Sequence, residues 1–204
     1  MIMAEQTSNF EFLIPDETNR IINMFDEINE TTCKDFFTSL NNIRKSDKNI
    51  IIQNNNKLSQ YGLNCNDMQF PPINVYLNSI GGDMYSALAM YDLVNGNDDM
   101  YCTGMGIIAS AAVMFMLAFK PENRKAYANT TFMVHQASLW AVGRCADVEE
   151  ASNEAKRLNK IAFDIISKNT KITTEQLNKI YKQKKDWYID ANEALKYGII
   201  NEII

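Results

Sequence analysis

Several features are scarce or missing in this chain of 204 residues, and each absence excludes a class of protein. The cysteines form no CxxC pair and have no histidine beside them, so the sequence predicts free thiols and no metal site; they are Cys33, Cys65, Cys102 and Cys145. The longest apolar run, at residues 109–119, is about half the length of a membrane span. The N-terminus lacks a basic region followed by an apolar core, so we expect no secretory signal. We therefore expect a cytoplasmic protein with reduced thiols and no membrane segment.

Nucleic-acid and nucleotide partners are also disfavoured. The net charge of -5 at pH 7 argues against a nucleic-acid-binding surface. No Gly-Lys-Ser sequence follows the glycine pair Gly81 and Gly82, so this turn is not a phosphate-binding loop of the Walker type. We expect no cofactor, and any use of ATP would belong to a partner protein.

The composition, 46% hydrophobic and 22% charged, is sufficient for one full core. We interpret residues 1–15 as an N-terminal arm and residues 16–204 as a single domain. A helix capped by Thr31 or Thr32 is predicted to end near Lys45. The asparagine-rich residues 46–70 then look like an insertion, which we expect to be a surface hairpin or loop with a short strand at residues 50–52.

The rest of the chain alternates strand and helix signals. A β-rich run at residues 73–77 leads through the glycine pair to helical spacing from Met84 to Val94, and a second such unit begins at Met100. This alternation predicts an α/β fold with a mostly parallel sheet. A long amphipathic helix at residues 147–168 is able to project from the domain and pack on a neighbour. Near the end, Asp190 and Glu193 form a predicted capping box.

The candidate chemistry centres on Ser110 and on His135, the only histidine of the chain. Small residues surround Ser110, which lets a substrate backbone approach its hydroxyl, and histidine is the usual base for a serine nucleophile. Backbone N–H groups at the Gly81–Gly82 turn can stabilise an oxyanion. Each feature alone also fits a structural role: a buried helix start, a core histidine and a plain strand-to-helix turn.

Four motifs in fixed order carry a resemblance to a known family. They are NSIGGD, GMGIIASAA, FMVHQA and EALKYGIIN, and together they resemble the ClpP family, the proteolytic subunit of the Clp protease. The resemblance implies a ClpP/crotonase-like fold of repeated β-β-α units with a projecting long helix. It also implies that Ser110 is the nucleophile, that His135 is the general base, and that the N–H groups of Gly82 and Ala111 form the oxyanion hole.

The chain departs from the family pattern at several positions. Two prolines and a glycine of the motifs are replaced, by Ile80, Ala137 and Ala112 respectively. The larger departure concerns the triad aspartate, because its position falls on Lys182 when the chain is counted back without gaps from EALKYG. Asp186, four residues later, is one candidate substitute, and Asp164 is another.

The resemblance implies a serine endopeptidase that hydrolyses unfolded polypeptides inside heptameric rings, paired as a tetradecamer. An AAA+ unfoldase would feed it, and the divergent sequence also suits a phage or mobile-element homologue. Lys182 favours an alternative, a catalytically weak or inert ring subunit. Two further alternatives share the fold: a crotonase-like acyl-CoA enzyme, in which Ser110 and His135 have no clear role, and a serine–lysine signal-peptide peptidase, which needs a lysine near Ser110.

Overall fold

The structure is a computed structural model that describes residues 12–136, 142–183 and 185–204. Within these ranges the strands form one seven-stranded sheet. The strands are β1 (Ile21–Met24), β2 (Ile73–Ser79), β3 (Met100–Ala109), β4 (Arg124–Ala126), β5 (Thr131–Val134), β6 (Trp187–Ile189) and β7 (Glu202–Ile203). The α-helices are α1 (Glu30–Leu58), α2 (Met84–Val94), α3 (Ala111–Met116), α4 (Cys145–Asn169), α5 (Thr174–Gln183) and α6 (Ala191–Tyr197).

The sheet is parallel along the path β1-β2-β3-β4-β7, and β3 forks. The first part of β3 pairs with β4 and its last three residues, Ile107 to Ala109, pair with β5 in parallel. Strand β6 then adds antiparallel to β5. The predicted α/β fold with a mostly parallel sheet is confirmed. Because β2, β3 and β5 are mutually parallel, the chain leaves all three at the same edge of the sheet.

Helix α3 lies at the centre of the hydrophobic core, and all of its residues are buried. The ring of Phe115 packs edge-on against Phe36 of α1 and against Phe119 just after α3. The apolar run at residues 109–119 is therefore a core helix with its flanking turns. In the described ranges no helix is both long and apolar enough to cross a membrane.

The prediction of a hairpin or loop at residues 46–70 is wrong over residues 46–58 and holds for residues 62–70, which contain neither helix nor strand. Helix α1 continues through residues 50–52 and ends at Leu58, so neither the hairpin nor the short strand is present. The inner face of α1 is apolar at Phe36, Leu40 and Ile43 and then continues with two polar residues, which are buried as well: Asp47 and Asn54. The apolar periodicity of the sequence stops near Lys45, whereas the buried face of α1 continues to Leu58. That segment 46–70 is an insertion stays a prediction, as does the division into an arm and one domain.

Two polar contacts hold the segment before β1 on this second half of α1. The Asn54 side-chain amide accepts a hydrogen bond from the Leu13 N–H at 3.0 Å and donates one to the Leu13 carbonyl at 2.9 Å. The Arg20 guanidinium donates to Asp47 at 2.5 Å and to the Pro71 carbonyl at 2.7 Å. Buried polar groups are stable in a core only when such partners satisfy them. The polar residues on the inner face of α1 therefore form hydrogen bonds with the segment before β1 that crosses this face.

The C-terminal predictions are confirmed. The helix predicted at residues 147–168 is α4, which begins two residues earlier and ends one residue later than predicted. Its first six residues are all exposed. The side chain of Asp190 caps α6 with Glu193 as its partner, and Gly198 ends α6 with a φ of 75°. The left-handed conformation at this position favours glycine.

Candidate active site

Ser110 occupies a strained turn between β3 and α3. Its φ is 56° and its ψ is -123°, and among the described residues it is the only non-glycine with a positive φ. Strain of this kind persists where the surroundings enforce it and is frequent at functional sites. The Ser110 N–H donates to the Met133 carbonyl at 2.8 Å, which fixes the turn beside β5. The conformation turns the serine out of the sheet at the start of a buried helix, as nucleophile turns of this type require.

The pairing of β3 with β5 brings Ser110 to His135. Ala109 lies opposite Met133 in this parallel register, so both chains leave the sheet side by side. The Ser110 Oγ lies 2.8 Å from Nε2 of His135, which is hydrogen-bond distance. The two residues that the sequence singled out are therefore in contact, 25 positions apart in the chain.

The register of β5 with β6 brings an acid to the other side of the imidazole. Val134 lies opposite Trp187 in this antiparallel pair, so the next residues outward, His135 and Asp186, also face each other. Nδ1 of His135 lies 3.3 Å from Oδ1 of Asp186. The Asp186 side chain is 52% exposed, so water screens part of its attraction for the imidazole.

The other two candidates for the third position lie elsewhere. Lys182 is exposed on the last turn of α5. Asp164 is exposed on α4, where its carboxylate accepts a hydrogen bond from Lys160 at 2.6 Å. The gapless count that pointed to Lys182 therefore missed the residue in contact with His135. The register of β5 with β6 is the signal that places Asp186 beside His135.

The glycine turn packs tightly under Ser110. A Cβ on Gly81 would lie 2.5 Å from the Ala109 carbonyl oxygen and 2.7 Å from the Ser110 Cβ, and the φ of Gly81 is 93°. Gly82 forms a parallel bridge with Ile28, in which Ile28 N–H donates to the Gly81 carbonyl and Asp83 N–H donates to the Ile28 carbonyl, both at 2.7 Å. In such a bridge the N–H of the middle residue points to the opposite side. The Gly82 N–H is thus directed away from Ile28.

A small cleft of about 80 Å³ opens beside these groups. Gly82, Ser110, Ala111 and His135 all line it. The remaining wall is mostly apolar and comes from α2, α3, β5 and α4: Met84, Met114, Val134, Ala162, Phe163 and Ile166. Ala111 is the first residue of α3, where backbone N–H groups have no partner within the helix. The cleft is therefore lined by the Ser110–His135 pair, by Gly82 and Ala111, and by an apolar wall.

The residues that depart from the sequence motifs have different environments. Ala112 is fully buried in α3, so its methyl group packs in the core. Ile80 is 62% exposed beside the glycine turn. Ala137 lies outside the described residues. Among the residues that the structure describes, no three potential metal ligands of the His, Cys, Asp and Glu types come together.

This arrangement has the parts of an acyl-transfer site. An imidazole that is hydrogen-bonded to a serine hydroxyl can take its proton, and a carboxylate near the other ring nitrogen can hold the ring in place. Backbone N–H groups can stabilise an oxyanion. Comparison with known families decides the identity, because the family model described as Clp protease matches residues 62–204. The chain belongs to the Clp protease family.

Individual relatives agree with this Clp protease assignment. The chain is 33% identical over 135 residues to the ATP-dependent Clp protease proteolytic subunit 2 of Borreliella burgdorferi, a match that covers 65% of this chain and 67% of the relative. It is 34% identical over 135 residues to the ATP-dependent Clp protease proteolytic subunit of Dehalococcoides mccartyi, covering 65% of this chain and 66% of the relative. The matched part thus spans about two thirds of these relatives' length.

A solved structure supports the fold over nearly the whole chain. A mutant of ClpP1 from Listeria monocytogenes superposes with a TM-score of 0.72 at 25% identity and covers 92% of both chains. The predicted ClpP-like fold is confirmed. Residues before 62 lie outside the family model, although most of them fall within the structural match.

Proposed function

We propose that this Clp protease family member is a serine endopeptidase in which Ser110, His135 and Asp186 act together. The observation that carries the proposal is the contact of one imidazole with both partners: Ser110 Oγ at 2.8 Å from one ring nitrogen and Asp186 at 3.3 Å from the other. The relatives named as proteolytic subunits supply the reaction class, peptide-bond hydrolysis. The strained Ser110 turn supports the same role.

The chemistry follows from these positions. The Ser110 oxygen attacks the scissile carbonyl carbon while His135 Nε2 takes the hydroxyl proton. The negative charge on the carbonyl oxygen is stabilised by the N–H groups of Gly82 and Ala111. The C–N bond then breaks as His135 returns the proton to the leaving amine, and a water molecule repeats the sequence to hydrolyse the acyl ester. Asp186 orients the imidazole and stabilises its charged form.

The substrate class follows from the cleft and from the family. The apolar wall beside Ser110, with Met84, Met114 and Phe163, favours an apolar side chain on the residue that precedes the scissile bond. From its likeness to Clp proteolytic subunits we further propose that the chain assembles into heptameric rings, paired as a tetradecamer. Unfolded polypeptides would enter the chamber with the help of an AAA+ unfoldase.

The contact with Asp186 also weakens the main objection to activity. The inert-subunit alternative was favoured by Lys182, but a carboxylate now faces His135 from a different position in the chain. The Ser110 oxygen is bonded to a histidine rather than to a lysine, which argues against the serine–lysine mechanism.

The test is labelling of the assembled protein with a fluorophosphonate probe, followed by mass spectrometry of the modified peptide. The probe reacts with a serine that its base and oxyanion hole activate. We expect modification at Ser110 in the wild-type protein and its loss in His135→Ala. Ser59→Ala, which changes an exposed serine at the end of α1, is the matched control and should label normally. An assembled, folded wild-type protein that does not label would support the inert ring subunit.

A further inference from the structure

The two halves of α4 are attached to the molecule in different ways. At its C-terminal end both terminal nitrogens of the buried Arg124 guanidinium donate to the Asn169 carbonyl at 3.3 Å, and the Asn169 amide donates to Tyr91 Oη at 3.3 Å. Leu158 and Ile166 are buried against the body. The C-terminal end of α4, from Ile166 to Asn169, is therefore anchored in the core, and Ala162 and Phe163 lie between this anchor and the first half.

The first half is more exposed, and the side chain of Tyr85 reaches it from α2. Residues 145–150 are all exposed, and the side chains of Arg144 and Lys156 bond to positions three residues away along α4. Tyr85 crosses from α2 and donates its hydroxyl to Glu154 at 2.5 Å, a contact that spans 69 positions of sequence. Arg157 donates two hydrogen bonds to the same carboxylate, at 2.7 and 2.8 Å.

This contact joins two parts of the cleft beside Ser110. Tyr85 directly follows Met84, which lines the cleft and begins α2 just after the Gly81–Gly82 turn. Glu154 lies two turns before Ala162 and Phe163, which form the opposite wall. A helix is stiff over this distance of about 12 Å, so a tilt of its first half is transmitted to the wall.

We propose that Tyr85, Glu154 and Arg157 form a latch that holds α4 against the start of α2 and so sets the width of the substrate cleft beside Ser110. In the peptidase these are positioning residues, and this consequence for substrate choice rests on the proposed function. Loosening the latch leaves the Ser110–His135 pair intact and changes how closely the wall fits the substrate side chain.

The charges in the latch are stable over the physiological range. The two Arg157 hydrogen bonds, followed by the one from Tyr85, lower the pKa of Glu154 to about 2. The hydrogen bond to Glu154 raises the pKa of the Tyr85 hydroxyl, so the phenol keeps the proton that it donates. The latch therefore holds a permanent carboxylate between two donors and is not a pH switch.

The kinetic test compares two short fluorogenic peptides that carry leucine or alanine before the scissile bond. Tyr85→Phe removes only the hydroxyl. We expect the kcat/KM preference for leucine over alanine to fall about two- to fivefold, mainly through KM, because an exposed hydrogen bond to a charged group contributes modestly. Glu154→Gln, which keeps an acceptor oxygen for Tyr85, should have a smaller effect. An unchanged preference, or an equal fall in kcat for both peptides, would overturn the role in substrate choice.

Hydrogen exchange separates the latch from the peptidase proposal. In Tyr85→Phe we expect faster amide exchange in residues 149–157 and unchanged exchange near Ile166. Tyr127→Phe, which alters another exposed tyrosine just after β4, is the matched control and should change neither. Equal exchange in all three proteins rejects the latch even if Ser110 labels with the fluorophosphonate. Faster exchange in a wild-type-like fold that does not label would support the latch and reject the peptidase.

Discussion

Two regions of the molecule solve the same problem, the placement of polar groups against a core, in opposite ways. In the turn at Ser110 the polar group faces a cleft, and the backbone beneath it is strained and closely packed against Gly81. In the second half of α1 the polar groups Asp47 and Asn54 face inward and are satisfied by Arg20 and by the Leu13 backbone. The first arrangement keeps reactive groups open to a ligand, whereas the second uses the polar groups of Asp47 and Asn54 to hold the chain. We therefore expect substitutions at the turn to reduce activity and substitutions in α1 to reduce stability.

Ser110→Ala is the substitution for which we expect the largest difference between activity and stability. We expect peptide hydrolysis to fall by at least about 1000-fold, because the acyl-enzyme can no longer form. Stability and assembly should be unchanged, since the Ser110 N–H that bonds Met133 is retained. The measurement is hydrolysis of a fluorogenic peptide together with the thermal midpoint and the size of the assembly. Hydrolysis at the wild-type rate would remove Ser110 from the mechanism.

Gly81→Ala tests the close packing under the turn. A Cβ there would approach the Ala109 carbonyl to 2.5 Å, so either the glycine turn or the Ser110 turn must move. We expect a loss of about 100-fold in kcat/KM, the size of the effect of losing one oxyanion donor.

Gly96→Ala is the matched control for that substitution. Gly96 has a similar φ of 88° but nothing within 4 Å of the added Cβ, so the variant carries the left-handed strain without the clash. Its activity should be close to wild type, with a stability loss of about 1 kcal/mol. Equal losses of activity in both variants would mean that strain alone, and not packing under Ser110, matters at Gly81.

Asp186→Asn tests the orienting acid. We expect kcat to fall about 10- to 1000-fold, because an amide that donates to the imidazole favours the wrong tautomer. This loss is smaller than that expected for a fully buried triad acid, because Asp186 is half exposed. Lys182→Met, at the position that the gapless count selected, is the control and should leave kcat unchanged. A wild-type rate in Asp186→Asn would exclude it as the orienting residue.

The sequence predicted the parts of the site that are local in the chain, and it left open the part that depends on strand register, for which Asp186 was one of two candidates. Ser110, His135 and the glycine turn each stand in a short motif, and the alternation of strands and helices predicted the parallel sheet. Asp186 reaches His135 only through the antiparallel pairing of β6 with β5, which residue spacing does not reveal. The second half of α1 was missed because its inner face is polar at Asp47 and Asn54, so the hydrophobic periodicity ends while the helix continues.

Asn54→Leu is the prediction with the smallest expected effect on chemistry, and it completes the comparison from the side of α1. The variant removes the two hydrogen bonds to Leu13 and leaves its N–H and carbonyl without these partners. We expect the free energy of unfolding to fall by about 1–3 kcal/mol, which is the cost of leaving partly buried polar groups without hydrogen-bond partners. Fluorophosphonate labelling of Ser110 should stay within about twofold of wild type, because the residues that line the cleft come from other elements than α1. Asn56→Leu, at an exposed position of the same helix, should change neither quantity. If both variants lowered stability equally, the helix surface rather than the contact with Leu13 would be responsible, and the inward-facing polar pattern of α1 would have no specific role.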